Sequence, residues 1–296
     1  MNLKNPAVRS TENLKKILAR RDAVIVPGVA NAMFARVVEA TGFEAVYVTG
    51  AGIANMLLGA PDIGLTTMSE VADTVARIAD TVSVPLIVDA DTGFGNAVNM
   101  VRTVRSFERA GAAAIQIEDQ VFPKKCGHFA GKHVISLQEM LAKIKAAVDA
   151  RRDNSLQIIA RTDARAIEGL DRAIERANAF AEAGADVTFV EAPTDLQELS
   201  RIPKEVRVPQ VANMVFGGRT PEPGRAGLRE YGYAIVLYAN AVLQAALRAS
   251  YEVLDALGKD GSLASVTKLL ASFEERQDAV AKDAWDELER RYQVNS

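Results

Sequence analysis

Apolar and polar positions along this chain follow two alternating patterns, one typical of buried strands and one of amphipathic helices. Short β-branched runs predict eight strands: Ala23–Pro27, Ala45–Thr49, Pro85–Asp89, Ala113–Glu118, Gln157–Arg161, Val187–Glu191, Val208–Asn213 and Ala234–Tyr238. Between them apolar residues recur every three or four positions, which predicts helices such as Met68–Thr81, Asn99–Ala110, Leu137–Ala150 and Arg172–Ala183. Eight strand and helix units close a parallel barrel, so the pattern predicts an α/β fold, a (β/α)8 TIM barrel formed by residues 1–296 as a single domain.

Extra helices are predicted after the eighth strand. The pattern indicates a helix near Ala241–Leu257 and a further helical extension over about residues 262–292. A closed barrel has no inner face left for this extension. It either packs on a neighbouring subunit or lies across its own barrel.

The amino-acid composition excludes several classes of protein. The chain has 296 residues, 49% of them hydrophobic, which allows one large domain with a sizeable core. A net charge of -3 offers no electrostatic footprint for nucleic acid or an anionic membrane. No apolar stretch is long enough to span a bilayer, the N-terminus lacks a signal-peptide core, and one cysteine forms no internal disulfide. We therefore expect a cytoplasmic protein with a small-molecule partner.

Polar side chains concentrate at the predicted ends of the strands, where the reactive groups of a TIM barrel lie. These residues are Tyr47, Thr49, Asp89, Asp91, Glu118, Asp119, Arg161, Asp163, Glu191 and Asn213. Burying so many polar groups is costly unless a partner compensates them. The pattern therefore predicts a polar site on one rim of the barrel.

A metal ion is one such partner for Asp89 and Asp91. Their carboxylates lie two residues apart, with no histidine or cysteine nearby, which favours Mg2+, or Mn2+, over Zn2+. Glu118 is positioned to help through a water molecule. The same spacing also fits two aspartates that cap a helix or bind loop amides.

The segment Lys124–His133 holds the single cysteine and both histidines of the chain, and it follows the fourth predicted strand. Lys124, Lys125 and His128 are expected to lower the pKa of Cys126 and to attract an anionic substrate. A zinc site is an alternative, but Cys-x-His-x4-His lacks a regular ligand spacing. The other alternative is that the segment is a basic surface loop whose thiol has no function.

Several motifs together resemble the isocitrate lyase and phosphoenolpyruvate mutase superfamily over roughly residues 15–255. Lys124-Lys125-Cys126-Gly127-His128 is similar to the catalytic loop of the lyase branch, and Val88–Gly95 to its metal-binding segment. Further matching segments are Tyr47–Gly52, Gln116–Gln120, Ile159–Asp163, Val190–Ala192 and Ala212–Val215.

The resemblance implies roles for individual residues. Asp89 and Asp91 would hold Mg2+ with ordered waters, and Asp62 and Glu118 would lie in its outer shell. Substrate binding would fall to the backbone amides of Thr49, Gly50 and Ala51 and to four further residues, Gly127, Arg161, Glu191 and Asn213. The family also implies a homotetramer with exchanged C-terminal helices, which the extension over residues 262–292 fits.

The chemistry consistent with this constellation cleaves a carbon–carbon bond. A 2-hydroxy acid would lose its hydroxyl proton to a base, for which Tyr47 as phenolate and Glu118 are catalytic candidates. One product is a 2-oxo acid such as pyruvate. Cys126 would protonate the leaving carbanion, with Lys124 and His128 stabilising the charge.

Two departures bear on the substrate. Where citrate-derived lyases of the superfamily carry Asn-Met-Thr-Glu, this chain reads Asn213-Met214-Val215-Phe216, and Gln244 stands where an arginine for a third carboxylate is expected. The pattern is similar to the branch that acts on 2,3-dimethylmalate and other 2-alkylmalates. Methylisocitrate cleavage, oxaloacetate hydrolysis or decarboxylation, a phosphonomutase reaction and a non-catalytic module are the alternatives.

Overall fold

Eight parallel strands form the centre of the molecule. The computed structural model describes residues 7–125 and 131–293. The strands are β1 (Val24–Val29), β2 (Val46–Val48), β3 (Leu86–Asp89), β4 (Ala114–Glu118), β5 (Gln157–Thr162), β6 (Val187–Val190), β7 (Val211–Asn213) and β8 (Ile235–Tyr238). All eight predicted strands are therefore present, with ends that differ by up to three residues.

The strands follow the order β6-β5-β4-β3-β2-β1-β8-β7, and every pair is parallel. Chain neighbours lie beside each other, and β1 joins β8, with Val24 opposite Ile235. Between β6 and β7 a single parallel bridge joins Thr188 to Gln210. The sheet is thus a nearly closed barrel, which confirms the predicted (β/α)8 fold.

Helices surround the barrel and alternate with its strands. They are α1 (Ala7–Arg20), α2 (Ala32–Ala40), α3 (Gly50–Leu58), α4 (Met68–Ala79), α5 (Ala97–Ala110), α6 (Leu137–Ala150), α7 (Arg165–Glu168), α8 (Leu170–Glu182), α9 (Leu196–Glu205), α10 (Gly224–Tyr231), α11 (Ala241–Asp260), α12 (Phe273–Ala279) and α13 (Lys282–Tyr292). Local signals set several ends: Thr67 and Glu70 form a capping box before α4, and Gly111 ends α5 in the left-handed conformation.

The C-terminal extension differs from the predicted continuous helical stretch. It contains a 3-10 turn over Thr267–Leu269 and the two helices α12 and α13. Ser272 forms a capping box at the start of α12. Ala281, with φ of 54°, has the left-handed conformation and therefore separates α12 from α13. These local breaks prevent one long helix. The helix α12 lies against α2, so part of the extension packs on its own barrel.

Two apolar layers hold the barrel. One fills its interior, with Val26, Ile87 and Leu237 fully buried, and the other lies between the strands and helices around Val88 and Phe107. Because the strands are buried on both faces, polar groups are left for the strand ends. In the described part of the chain, no helix is long and apolar enough to cross a bilayer.

Candidate active site

The carboxyl ends of the strands bring the predicted site residues onto one rim. Asp89, Glu118 and Asn213 are the last residues of β3, β4 and β7, while Arg161 lies next to the end of β5. Glu191 follows β6 directly. The carboxyl ends of parallel strands lie on the same side of a barrel, so these polar residues, which are distant in sequence, form a ring.

Asp89 and Asp91 face the first residue of α3. The N–H of Gly50 donates to Oδ2 of Asp89 over 3.2 Å, and the N–H of Asp91 donates to Oδ1 of Asp89 over 3.1 Å. A Cβ on Gly50 would lie 3.0 Å from Asp89 Oδ2 and 3.1 Å from Asp91 Oδ1. The missing side chain of Gly50 therefore leaves a cradle lined by two carboxylates, and burial raises the pKa of Asp91 to about 6.

Lys124 lies on the same carboxylates. Its buried ammonium is 2.8 Å from Oδ1 of Asp91 and also pairs with Asp62, on the other side. Burial opposes the charged ammonium, but Asp91 and the neighbouring carboxylates outweigh it and raise the pKa of Lys124 well above its usual range. Asp62, predicted for an outer metal shell, thus contacts the carboxylate pair through Lys124.

The described residues contain no group of three or more carboxylate, histidine or cysteine side chains placed to hold a metal ion. Mg2+ does not require such a group, since it retains several waters and takes substrate oxygens as ligands. The oxygen-only pair of Asp89 and Asp91, with its cradle at Gly50, fits that ion. Glu118 adds a buried oxygen, Oε1, that has no hydrogen-bond partner among the described residues.

Tyr47 is buried in the apolar interior of the barrel, close enough to Asp89 to be affected by its charge. Burial, reinforced by the charge of Asp89, raises the pKa of the phenol well above its usual range. In this environment the phenol is neutral. The predicted phenolate is therefore not the resting form, and it would have to arise when substrate binds.

Arg161 is the centre of a second, buried cluster. Its guanidinium contacts Asp163 through Nε at 2.9 Å and Nη2 at 3.1 Å, and Nη2 lies 3.2 Å from Oε2 of Glu191. Its Nε also lies 3.4 Å from Oε2 of Glu118, and the group stacks 5.1 Å from the ring centre of Phe189. Burial opposes the charge, but Asp163 and Glu191 raise the pKa of Arg161 well above its usual range.

One atom of Arg161 is left for a ligand. The structure shows no hydrogen bond from Nη1 to any described residue. Asn213 donates to Oε2 of Glu191 over 3.3 Å, and its own Oδ1 has no partner in the described part of the chain. Arginine and amide groups of this kind are suited to a small carboxylate.

The amides of Thr49, Gly50 and Ala51 are less available than predicted. The N–H of Thr49 donates to the carbonyl of Val29 over 3.1 Å, and that of Gly50 is held by Asp89. Only the N–H of Ala51 shows no hydrogen bond to another described residue.

Sequence reasoning missed several contributors to the site. Lys132 pairs with Asp163 at 2.5 Å, and Asn240 accepts a hydrogen bond from the hydroxyl of Thr49 over 3.3 Å. Their sequence positions carried a signal, since Asn240 follows the eighth strand and Lys132 lies in the long fourth loop. The predicted residues Cys126, Gly127 and His128 lie outside the described residues.

The two positions that bear on the substrate are both exposed. Phe216, three residues beyond the end of β7, has 88% of its surface exposed, and Gln244 is exposed on α11. The apolar ring of Phe216 therefore stands on the rim side of the barrel, where an acidic residue was expected from the citrate-derived lyases.

Comparisons with known proteins identify the family. The family described as phosphoenolpyruvate phosphomutase matches residues 14–257. The 2,3-dimethylmalate lyase of Eubacterium barkeri is 44% identical over 285 residues, covering 96% of this chain and 99% of that enzyme. The 2-methylisocitrate lyase of Aeropyrum pernix is 47% identical over 277 residues, covering 94% and 89%.

Solved structures show the same relationship. A crystal structure of 2,3-dimethylmalate lyase is similar with a TM-score of 0.90 and 31% identity, covering 97% of this chain and 99% of that one. Oxaloacetate acetylhydrolase with 3,3-difluorooxalacetate gives a TM-score of 0.91 at 29% identity, covering 98% and 99%. Phosphonopyruvate hydrolase, solved with oxalate and Mg2+, gives 0.85 at 30%, covering 96% and 99%. The chain therefore belongs to the phosphoenolpyruvate mutase/isocitrate lyase superfamily and is one of its carbon–carbon lyases.

Proposed function

We propose that this enzyme is a Mg2+-dependent lyase that cleaves a 2-alkylmalate, such as 2,3-dimethylmalate, to pyruvate or another 2-oxo acid and a carboxylate. The observation that carries the proposal is the rim itself, where an oxygen-only carboxylate pair lies beside a buried arginine cluster. Such a rim suits a substrate that has both a metal-binding hydroxy acid end and a carboxylate. The similarity to 2,3-dimethylmalate lyase supports it.

Asp89 and Asp91 would hold the metal ion in this proposal, with Asp62 and Glu118 in its outer shell and Mn2+ as a substitute. The cradle at Gly50 and the partnerless Oε1 of Glu118 support the assignment. The phosphonopyruvate hydrolase structure with oxalate and Mg2+ supports it from a similar fold. When bound, the ion supplies Lewis-acid polarisation of the substrate oxygens.

Protein groups around the cradle bind the substrate and move protons. Arg161, through its Nη1, is placed to bind one carboxylate, while Glu191 and Asn213 orient that guanidinium and the neighbouring space. Tyr47 and Glu118 are the candidates to accept the hydroxyl proton. Burial raises the pKa of both, which makes each deprotonated form a stronger base.

The proton donor in this proposal is Cys126, assisted by Lys124 and His128. Lys124, which is two residues before Cys126 in the chain, pairs with Asp91, one of the proposed metal ligands. A carbanion formed by cleavage would then be protonated by a thiol that the nearby cations keep acidic. Gly127 belongs to the same segment and is proposed to contact substrate.

The substrate panel is the first test. The substrates are 2-methylmalate, 2,3-dimethylmalate, 2-methylisocitrate, isocitrate and oxaloacetate, each with Mg2+. We expect product release to be fastest with an alkylmalate, because Val215 and Phe216 are apolar where the citrate-derived lyases carry Thr-Glu. Pyruvate is measured for the alkylmalates and 2-methylisocitrate, glyoxylate for isocitrate, and oxalate and pyruvate for oxaloacetate, and EDTA is expected to stop their formation. Release of product from 2-methylisocitrate alone would instead favour the activity of the Aeropyrum pernix relative. Conversion of phosphonopyruvate without any alkylmalate cleavage would contradict the lyase proposal.

We further propose that the enzyme is a homotetramer that exchanges its C-terminal helices. Leu247, Tyr251 and Leu254 form an exposed apolar stripe on α11, and Phe273 and Trp285 are exposed on the extension. Contiguous apolar surface of this kind is typical of subunit interfaces. Light scattering is expected to give about four times the chain mass of 31.8 kDa, and a mass of one chain would contradict the proposal.

A further inference from the structure

A second buried lysine, Lys132, lies behind the arginine that faces the substrate. Its side chain is 2% exposed, and its Nζ lies 2.5 Å from Oδ1 of Asp163, whose side chain is fully buried. Asp163 Oδ1 also accepts from Nη2 of Arg161 over 3.1 Å, and Asp163 Oδ2 accepts from Nε over 2.9 Å. One carboxylate therefore holds the fork of Arg161 on one side and the ammonium of Lys132 on the other.

The backbone fixes where Lys132 enters this cluster. The N–H of Val121 donates to the carbonyl of His133, and the N–H of Ile135 donates to the carbonyl of Asp119, both over 2.8 Å. An antiparallel bridge between Gln120 and Val134 lies between these two bonds. The residues that follow Lys132 are thus tied to the exit of β4, so the ammonium approaches Asp163 from a defined direction.

Asp163 is held from behind as well. Its N–H donates to Oδ1 of Asp119 over 2.9 Å, and the hydroxyl of Thr162 donates to Oδ2 of Asp119 over 2.7 Å. Arg176 balances the charge of Asp119, with Nη1 3.2 Å from Oδ2. Asp163 consequently has little freedom to follow Arg161 if one of its two cations is removed.

We propose that Lys132 is a positioning residue for Arg161, acting through Asp163, and that it thereby sets the affinity of the site for the substrate carboxylate. This inference rests on the proposed function, in which Arg161 binds that carboxylate. The inference is based on Oδ1 of Asp163, which accepts hydrogen bonds from both Lys132 and Arg161. Without the ammonium, Arg161 is the only cation among the described residues that is bonded to Asp163 Oδ1, and its fork is drawn toward Asp163 and away from the ligand.

A binding experiment that needs no turnover tests the inference. Oxalate affinity in the presence of Mg2+, measured by calorimetry, is expected to fall roughly 10- to 100-fold in Lys132→Met, the range typical when a supporting partner of a site residue is lost. Lys145→Met is the matched control, because Lys145 is exposed on α6 and forms no ion pair with another described residue. Lys132→Arg retains the charge and is expected to restore most of the affinity.

A double variant distinguishes the positioning of Arg161 from a general effect of losing one positive charge in the site. In an Arg161→Met protein, adding Lys132→Met is expected to cause no further loss of oxalate affinity, since the group that it positions is gone. The same fold-loss in both backgrounds would overturn the inference, and so would wild-type affinity in the Lys132→Met variant. In turnover, the KM of the alkylmalate is expected to rise more than kcat falls.

Two further outcomes are distinguishable. If Lys132→Met does not fold, Asp163→Asn carries the test, because it breaks the same pair from the other side, and unchanged oxalate affinity in that variant would overturn the inference. If the wild-type protein itself does not bind oxalate with Mg2+, the proposed function fails and the inference with it. Equal binding by wild type and Lys132→Met overturns the inference alone.

Discussion

Asp89→Asn is expected to lower turnover roughly 1000-fold or more and to remove the Mg2+ dependence of oxalate binding. Metal catalysis contributes several kcal/mol to a reaction of this kind, and each 1.4 kcal/mol is a factor of about ten. Asp89 forms the cradle with Asp91 opposite Gly50, and an amide at this position has one charged oxygen ligand fewer for a hard cation. Turnover assays and calorimetry with and without Mg2+ measure both effects.

The control for this variant is Asp73→Asn, which makes the same chemical change on the exposed face of α4. Asp73 lies 3.7 Å from Arg77 in a solvent-exposed pair, which is expected to matter little for stability and not at all for turnover. Thermal unfolding of both variants checks that the fold survives. Full activity of Asp89→Asn with undiminished Mg2+ dependence would show that the metal site lies elsewhere.

Cys126→Ser is expected to lose about 100- to 10,000-fold in turnover, the range that general acid catalysis contributes. A hydroxyl is far less acidic than a thiol, so it delivers a proton to the carbanion poorly. Oxalate binding with Mg2+ is expected to be unchanged. In the proposed site oxalate binds to the metal ion held by Asp89 and Asp91 and to Arg161, and it does not require the proton donor Cys126. Single-turnover kinetics and calorimetry distinguish the two steps.

Cys126→Ala serves as the companion to Cys126→Ser, since it removes the acid without replacing it by a weaker one. Both variants are expected to retain the melting temperature of the wild-type protein. Wild-type turnover in either variant would exclude Cys126 as the proton donor. Loss of oxalate binding in both would instead assign the thiol to substrate binding.

Lys124 lies on two of the carboxylates that the proposed metal site uses. Its ammonium pairs with Asp91, a proposed metal ligand, and with Asp62, which is proposed for the outer shell. An ammonium and a divalent cation compete for the same oxygens, so metal binding requires Lys124 to exchange at least part of its pairing. In the proposed reaction the lysine would then be available to stabilise the charge that develops on the substrate.

The predicted strands and the observed ones agree because parallel strands buried on both faces leave a strong local mark. The prediction for β5 began at Gln157 and that for β8 ended at Tyr238, as in the structure. The start of β7 was predicted three residues too early, since the apolar run from Val208 includes Pro209, which has no N–H for the ladder. The extension over residues 262–292 was predicted as one helical stretch because the apolar period there outlasts the local breaks at Ser272 and Ala281.

By itself the sequence determined the alternation of strand and helix, and with it the rim on which Asp89, Glu118, Arg161 and Glu191 would meet. The pattern of apolar residues and the order of the elements along the chain can be read from the sequence. In a parallel barrel the ends of all strands lie on the same side, so the polar residues at those ends form one ring. Only the tertiary structure decided the pairings within that ring. The contact between Lys132 and Asp163 and the neutral phenol of Tyr47 depend on distances and desolvation across the closed barrel, which no spacing along the chain encodes.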